Sequence, residues 1–170
     1  MRHGWGTLGL LLVLATALSA GAEVAANVED TRPRVRIGWV DTPPEIDGRL
    51  DEPVWNAAGL IDELTQVLPD TGAAPSQRTE IRILTDGKTL FFGFRCFDTD
   101  PDQIVANRML RDGFPFFDDR VGIALDTFHD RRNGYFFETN PRGMRHDVLI
   151  EGDNFEISWD AIWFVETTID

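Results

Sequence analysis

The chain has 170 residues, and its 29 acidic side chains outnumber 16 basic ones, which gives a formal net charge of -13 at pH 7. This balance argues against nucleic acid and anionic lipid as partners, because both require basic patches, but it suits cations and neutral ligands such as sugars. The single cysteine, Cys96, leaves stability to the hydrophobic core rather than to internal disulfides. Cys96 alternates with Phe92 and Phe94 on one face of an apolar run, so we expect a buried, inert thiol.

Residues 1–22 are predicted to be a secretory signal peptide. A basic start precedes the apolar run Leu8–Leu18, and the small residues Ala20-Gly21-Ala22 follow as a cleavage site. The apolar run is shorter than the roughly 20 residues that cross a bilayer. We therefore expect an exported protein that is periplasmic, associated with the outer membrane or extracellular.

Beyond the signal, hydrophobic alternation with a period of two predicts a chain of strands. Turn residues separate them, most clearly at Asp86-Gly87, where glycine accepts the positive φ of a tight hairpin. The predicted strands are Arg34–Val40, Thr79–Thr85, Leu90–Phe97, Arg120–Asp126, Gly134–Asn140, Arg145–Ile150 and Trp163–Ile169.

One short helix is predicted at Asp51–Ala58, with Asp51 as its N-cap, Pro53 in its first turn and Trp55 docked on a sheet. Short strands with one minor helix indicate an all-β, antiparallel β-sandwich. Residues 23–41 form a lead-in with the first strand, and residues 42–170 form the domain. Because Asp170 follows the last strand directly, we expect a domain truncated at its C-terminus, with a terminal edge strand as the alternative.

Several separate segments carry a family likeness. They are Pro43–Trp55 (PPEIDGRLDEPVW), Thr79–Asp86, Leu90–Cys96, Asp118–Ile123, Asp126–Asp130, Asn140–Gly143 and Trp159–Trp163. Together they resemble family 9 carbohydrate-binding modules, and especially modules at the start of large exported bacterial proteins of uncharacterised function. The resemblance implies a jelly-roll-like β-sandwich that binds sugars, often with structural calcium, inside a larger protein. In those relatives the module continues beyond the position of Asp170, and a region that looks like an outer-membrane barrel often follows.

A sugar site needs an aromatic platform and planar polar side chains. Trp159 and Tyr135 are the candidates for the platform, and Arg95 is the polar candidate. Trp159 falls in the stretch Gly152–Asp160, which we expect to be irregular, and a structural role for this ring remains an alternative. Trp39 and Trp163 share strand faces with aliphatic residues and are expected in the core.

A carboxylate-rich turn offers a candidate calcium site at Asp126, Asp130 and Asn133, because calcium takes six to eight oxygen ligands. The alternative is structural: Asp126 caps the strand end, and Asp130 pairs with Arg131 or Arg132.

No catalytic constellation is apparent, so we expect no enzyme activity in this chain, although it could be appended to a glycoside hydrolase or another carbohydrate-active protein. The adjacent Asp118 and Asp119 should point to opposite faces of a strand, unlike the paired carboxylates of a glycosidase. The expected function is non-catalytic binding of an oligo- or polysaccharide, linked to carbohydrate catabolism. The alternative is a structural or partner-binding domain of an outer-membrane barrel protein. A weaker third option is haem held by Met109 and His146.

Overall fold

The computed structural model describes residues 33–113 and 117–170, and within them it is mostly β. The predicted signal peptide therefore lies outside the described residues. The compact unit Val35–Asp170 contains two four-stranded sheets that are rich in antiparallel pairs. In the described ranges, no helix is long and apolar enough to cross a membrane.

The first sheet is built around one central strand. It contains β1 (Gly38–Trp39), β2 (Gly59–Ile61), β3 (Thr79–Thr85) and β4 (Leu90–Cys96). β4 pairs with β3 along its whole length, and β2 pairs antiparallel with residues 81–83 of β3. β1 pairs parallel with Leu84 and Thr85. Because β4 takes one edge of β3, β1 and β2 share the other edge.

The second sheet is an antiparallel meander of β5 (Val121–Leu125), β6 (Asn133–Thr139), β7 (Arg145–Glu151) and β8 (Asn154–Glu156), in that order. Two 3₁₀ helices, Pro53–Ala57 and Pro101–Gln103, complete the regular elements of the described chain.

The alternating runs with clear turns between them are confirmed. β3 has the predicted bounds, and β4 to β7 agree within one residue at each end. The Asp86-Gly87 hairpin also forms: Gly87 has a φ of 85°, and Asp86 Oδ1 accepts the amides of Lys88 and Thr89. Those two hydrogen bonds lower the pKa of Asp86.

The first strand, the last strand and the helix differ from their predictions. The first strand is confined to Gly38–Trp39, because β2 already occupies the edge of β3 next to the short stretch that β1 pairs with. Trp163–Ile169 is not a strand in this structure, since no ladder partner lies beside it. The predicted helix is a 3₁₀ helix that follows Glu52, not Asp51, and no side chain caps its N-terminus.

The core cluster lies under the 3₁₀ helix. Trp55 is only 3% exposed and packs with Val40 and Leu84, which confirms that the helix docks through this ring. The expectation for Trp39 is wrong: it is 64% exposed, and its ring lies over Gly87 at the hairpin.

Cys96 also departs from expectation, because it is exposed at the end of β4. Cys96 shares a strand face with Phe92 and Phe94 as predicted, but this face borders a cavity, so no packed side chains bury the thiol. Partial desolvation still raises the pKa of the thiol, which keeps Cys96 mostly protonated near neutral pH.

Candidate functional site

Four rings form what we call the aromatic cluster: Tyr135, Phe137, Trp159 and Trp163. Trp159 stacks on Tyr135 with ring centroids 5.0 Å apart and an interplanar angle of 30°. Phe137 meets Trp159 edge-on at 6.2 Å and Trp163 edge-on at 5.5 Å. All four side chains are half-buried. The structure thus brings together two of the three predicted ligand-binding residues, Trp159 and Tyr135.

β6 and β8 position the two rings of the platform. Tyr135 and Phe137 are two residues apart on β6, so they share one face of the sheet. The turn Gly152-Asp153 returns the chain into β8, so the stretch that we expected to be irregular contains a hairpin strand. After β8, Glu156 Oε1 accepts hydrogen bonds from the Ser158 amide at 3.0 Å and the Ser158 hydroxyl at 2.6 Å. The hydroxyl, followed by the amide, lowers the pKa of Glu156, and this turn leads the chain directly to Trp159.

Arg95 does not join the aromatic cluster. It lies on β4 of the first sheet, opposite Glu80, and its guanidinium lies 5.4 Å from the ring centroid of Phe97. Within the described residues no contact links Arg95 to Trp159 or Tyr135. The one polar residue that we predicted for the sugar site therefore lies on the other sheet.

A buried carboxylate anchors the segment that follows Trp159. Asp147, on β7, is 0% exposed. Its oxygens accept the guanidinium of Arg111 at 2.9 and 3.2 Å, the Ala161 amide at 2.5 Å and the Trp163 indole N–H at 3.2 Å. Trp163 was expected in the core, and it is half-buried with its polar edge fixed on Asp147.

Asp112, Asp147 and Asp160 place carboxylate oxygens within 4.8 Å of one another. A cation already lies among them, because Arg111 forms ion pairs with Asp112 at 3.6 Å, Asp147 at 2.9 Å and Asp160 at 2.7 Å. The trio therefore works as an ion-pair network around one guanidinium. A metal ion would have to displace Arg111 to use it.

The predicted calcium residues lie together in the loop between β5 and β6, where they hold the loop itself. Asp126 accepts the amides of Asp130 and Arg131, at 3.1 and 2.9 Å. Asp130 accepts the amides of Arg132 and Asn133, both at 2.8 Å, and the Asn133 side-chain amide at 2.6 Å. The bonds from Asn133 and Arg132 lower the pKa of Asp130.

All four carboxylate oxygens of this loop thus accept N–H groups, and they do not present a converging set of free ligands. Asp126 caps the end of β5 by accepting the amides of Asp130 and Arg131, which is the structural alternative that we predicted. Asp130 binds the backbone of Arg132 and not the guanidinium. Calcium in this loop stays a prediction that the geometry does not favour.

Asp118 is the centre of a hydrogen-bond network that we did not predict from the sequence. Its carboxylate accepts the amides of Asn107 and Arg108 and the Asn140 side-chain amide at 2.8 Å. Asn140 Oδ1 in turn accepts the Met144 amide, which fixes the turn between β6 and β7. Burial raises the pKa of Asp118, but the hydrogen bonds outweigh it and the net pKa is lowered. The sequence feature that could have revealed this network is the position of two polar motifs: Asp118-Asp119 precedes β5, and Asn140-Pro141 follows β6. The antiparallel pairing of these strands brings the two motifs together.

Two further candidates were a carboxylate pair for glycoside hydrolysis, Asp118-Asp119, and a haem ligand pair, Met109 and His146. Asp119 accepts the Val105 amide, so both adjacent aspartates bind the same backbone segment. Neither aspartate lies in a strand, because β5 begins at Val121, so the expected orientation on opposite strand faces stays a prediction. Both oxygens of Asp118 accept main-chain amides, whereas Asp119 accepts one amide through Oδ2. Met109 is 66% exposed, whereas His146 is 5% exposed and bonds to Glu138 at 3.2 Å. These environments do not favour a shared haem.

A cavity of about 490 Å³ is lined by residues of both sheets. Its apolar walls include Phe92 and Phe94 of β4, Val121 of β5 and Val165 near the C-terminus. Trp55 also lines it, and the Trp55 indole N–H is buried with no hydrogen-bond partner among the described residues. This volume lies in the range of small-ligand sites.

Comparison of the chain with models of protein families, with curated proteins and with solved structures found no match.

Proposed function

We propose that this chain is a non-catalytic carbohydrate-binding module of an exported protein, built as a jelly-roll-like β-sandwich of the family 9 type. The observation that carries the proposal is the half-buried stack of Trp159 on Tyr135 beside the end of β8. Pyranose rings stack their C–H faces on such rings, and hydroxyl groups require nearby polar acceptors.

The sugar would bind on the outer face of Trp159. A centroid distance of 5.0 Å leaves no gap between Trp159 and Tyr135 for a ligand. Asp160 follows Trp159 directly, and its side chain is 69% exposed although Oδ1 pairs with Arg111. Glu156, three residues before Trp159, is exposed as well. These carboxylates can accept hydrogen bonds from sugar hydroxyls, and they repel anionic sugars. The proposed ligand is therefore a neutral oligosaccharide and not a uronate polymer.

Calorimetric titration of the intact chain with neutral and with uronate oligosaccharides tests this proposal. We expect binding of at least one neutral series, no uronate binding, and loss of binding in Trp159→Ala. Trp39→Ala is the matched control, because it removes an exposed tryptophan, 64% accessible, from the first sheet. A folded protein that binds no glycan, or equal binding by the two variants, would overturn the assignment to Trp159.

A second candidate is a structural or partner-binding domain of an outer-membrane barrel protein. Large apolar side chains that stay exposed near the C-terminus favour it, with Phe155 at 67%, Ile162 at 94% and Phe164 at 77%. This candidate expects a coding sequence that continues past Asp170 with alternating strands of about 10 residues. A stop codon directly after Asp170 would count against it.

A further inference from the structure

The segment Ile162–Asp170 has the side-chain pattern of a strand but no strand beside it. Trp163, Val165 and Thr167 are half-buried, whereas the residues between them are exposed. Ile162 and Phe164 reach 94% and 77% exposure. Alternation with a period of two is that of an extended chain with one side against the protein.

Side chains, not a ladder, hold this segment. Arg111 donates to the Ala161 carbonyl at 3.2 Å, and Arg145 donates to the Trp163 carbonyl at 2.9 Å. The Thr167 hydroxyl donates to the Pro141 carbonyl at 2.9 Å. Because backbone groups alternate in direction along an extended chain, the main-chain groups of Ile162 and Phe164 point away from these anchors.

The main-chain amides of Ile162–Asp170 have no hydrogen-bond partner among the residues that the structure describes. Every second one of these amides, from Ile162 onward, lies on the side away from the anchors, and an edge that is unpaired among the described residues is a template for strand addition.

The same segment borders the cavity between the sheets, because Val165–Asp170 forms part of its wall. Phe92 and Phe94 of β4 also line this cavity. Trp55, at 3% exposure, lines the cavity from the other face of β4, where it packs against Gly93, and its indole N–H has no partner among the described residues. A strand added along the segment would pair its free amides and could direct alternate side chains toward this apolar space.

We propose that Ile162–Asp170 accepts one extended strand of a partner polypeptide, in which apolar residues alternate with lysine or arginine. The apolar positions match the cavity wall, and the basic positions match the acidic rim. Acidic groups of the segment and the rim include Glu166, Asp170, Asp47, Asp98 and Asp119, and they outnumber the arginines that line the cavity, Arg49 and Arg120. A second copy of this chain is the poorer occupant, because its own segment carries the same acidic residues and each chain has a formal charge of -13.

Nine-residue peptides of alternating valine and lysine test the proposal on the intact chain, with fluorescence anisotropy and amide hydrogen exchange as readouts. Two comparison peptides replace lysine by glutamate or carry N-methyl groups at every second amide. We expect the lysine peptide to bind at least about tenfold more tightly than either, because several rim charges and the ladder each contribute. Binding should protect amides of Ile162–Asp170 from exchange.

Variants of the chain separate strand addition from general charge attraction. Glu166→Lys should weaken binding of the lysine peptide several-fold, whereas Glu63→Lys, an exposed control far along the chain, should not. Equal affinity for all three peptides, equal effects of the two variants, or binding without protection of the segment would overturn the proposal. Concentration-dependent dimers that protect the same amides would also overturn it, in favour of self-association. The result is independent of sugar binding, which Trp159→Ala reports.

Discussion

Asp147 should be the polar side chain whose loss destabilises this protein most clearly. It is 0% exposed on β7 and accepts hydrogen bonds from a guanidinium, a main-chain amide and an indole. Asp147→Ala would leave the Ala161 amide and the Trp163 N–H without their acceptor. It would also leave Arg111 with the Ala161 carbonyl and its two more exposed acidic partners, Asp112 and Asp160.

Breaking a buried ion pair from one side costs about 3–5 kcal/mol, because the remaining charge stays desolvated. The Arg111 side chain is 30% exposed and keeps its contact with Asp160 at 2.7 Å, so we place Asp147→Ala at the lower end, about 3 kcal/mol. Asp147→Asn keeps one acceptor oxygen and should cost about 2 kcal/mol.

Urea unfolding of the intact chain at pH 7, followed by tryptophan fluorescence and far-UV circular dichroism, measures these differences. Asp112→Asn is the matched control: this aspartate side chain is 41% exposed and pairs with Arg111 at 3.6 Å. We expect the control to cost less than about 1 kcal/mol. If Asp147→Ala costs no more than Asp112→Asn, the reasoning from burial is refuted.

Three further predictions concern positions with unusual environments. The pKa of Asp118 is lowered in the folded state, so its carboxylate stabilises the fold above the unfolded pKa of about 3.9. This stabilisation is lost as pH falls through the folded pKa. Urea midpoints should therefore depend less on acid pH in Asp118→Asn than in wild type. Gly48→Ala should cost about 2 kcal/mol, because φ is 80° and a Cβ would lie 2.9 Å from the Thr167 carbonyl carbon. Gly72→Ala, with φ 84° and open space, should show only the backbone part, about 1 kcal/mol. Trp55→Phe should change stability by less than about 1.5 kcal/mol, because the lost N–H has no partner, and a cost of the size expected for alanine would show a hidden hydrogen bond.

The strands between clear turns could be predicted because their signal is local. Alternation fixes which residues share a face, and Asp86-Gly87 fixes where the chain reverses. The short strands β2 and β8 lack this signal, since three residues cannot show a period. β8 could have been found from Gly152-Asp153, which suits a two-residue hairpin turn.

Which faces are covered could not be predicted, because that depends on packing between distant segments. Trp39 and Trp55 both sit among apolar neighbours in the sequence, yet one is 64% exposed and the other 3%. Cys96 shares a face with Phe94 that opens onto the cavity. The sequence likewise does not show whether a loop aspartate is free for a ligand. In the structure, Asp130 bonds to the amides of its own turn.

Asp147 connects the two proposed binding regions, since it anchors Ala161, which lies between the Trp159 platform and the unpaired segment. A variant that releases Ala161 and Trp163 should loosen both regions at once. Asp147→Ala is therefore expected to weaken sugar binding and strand addition together. Trp159→Ala should affect only sugar binding, and Glu166→Lys should affect only the basic peptide. If Asp147→Ala, measured where it is still folded, leaves both affinities unchanged, then the anchor stabilises the fold without shaping either site.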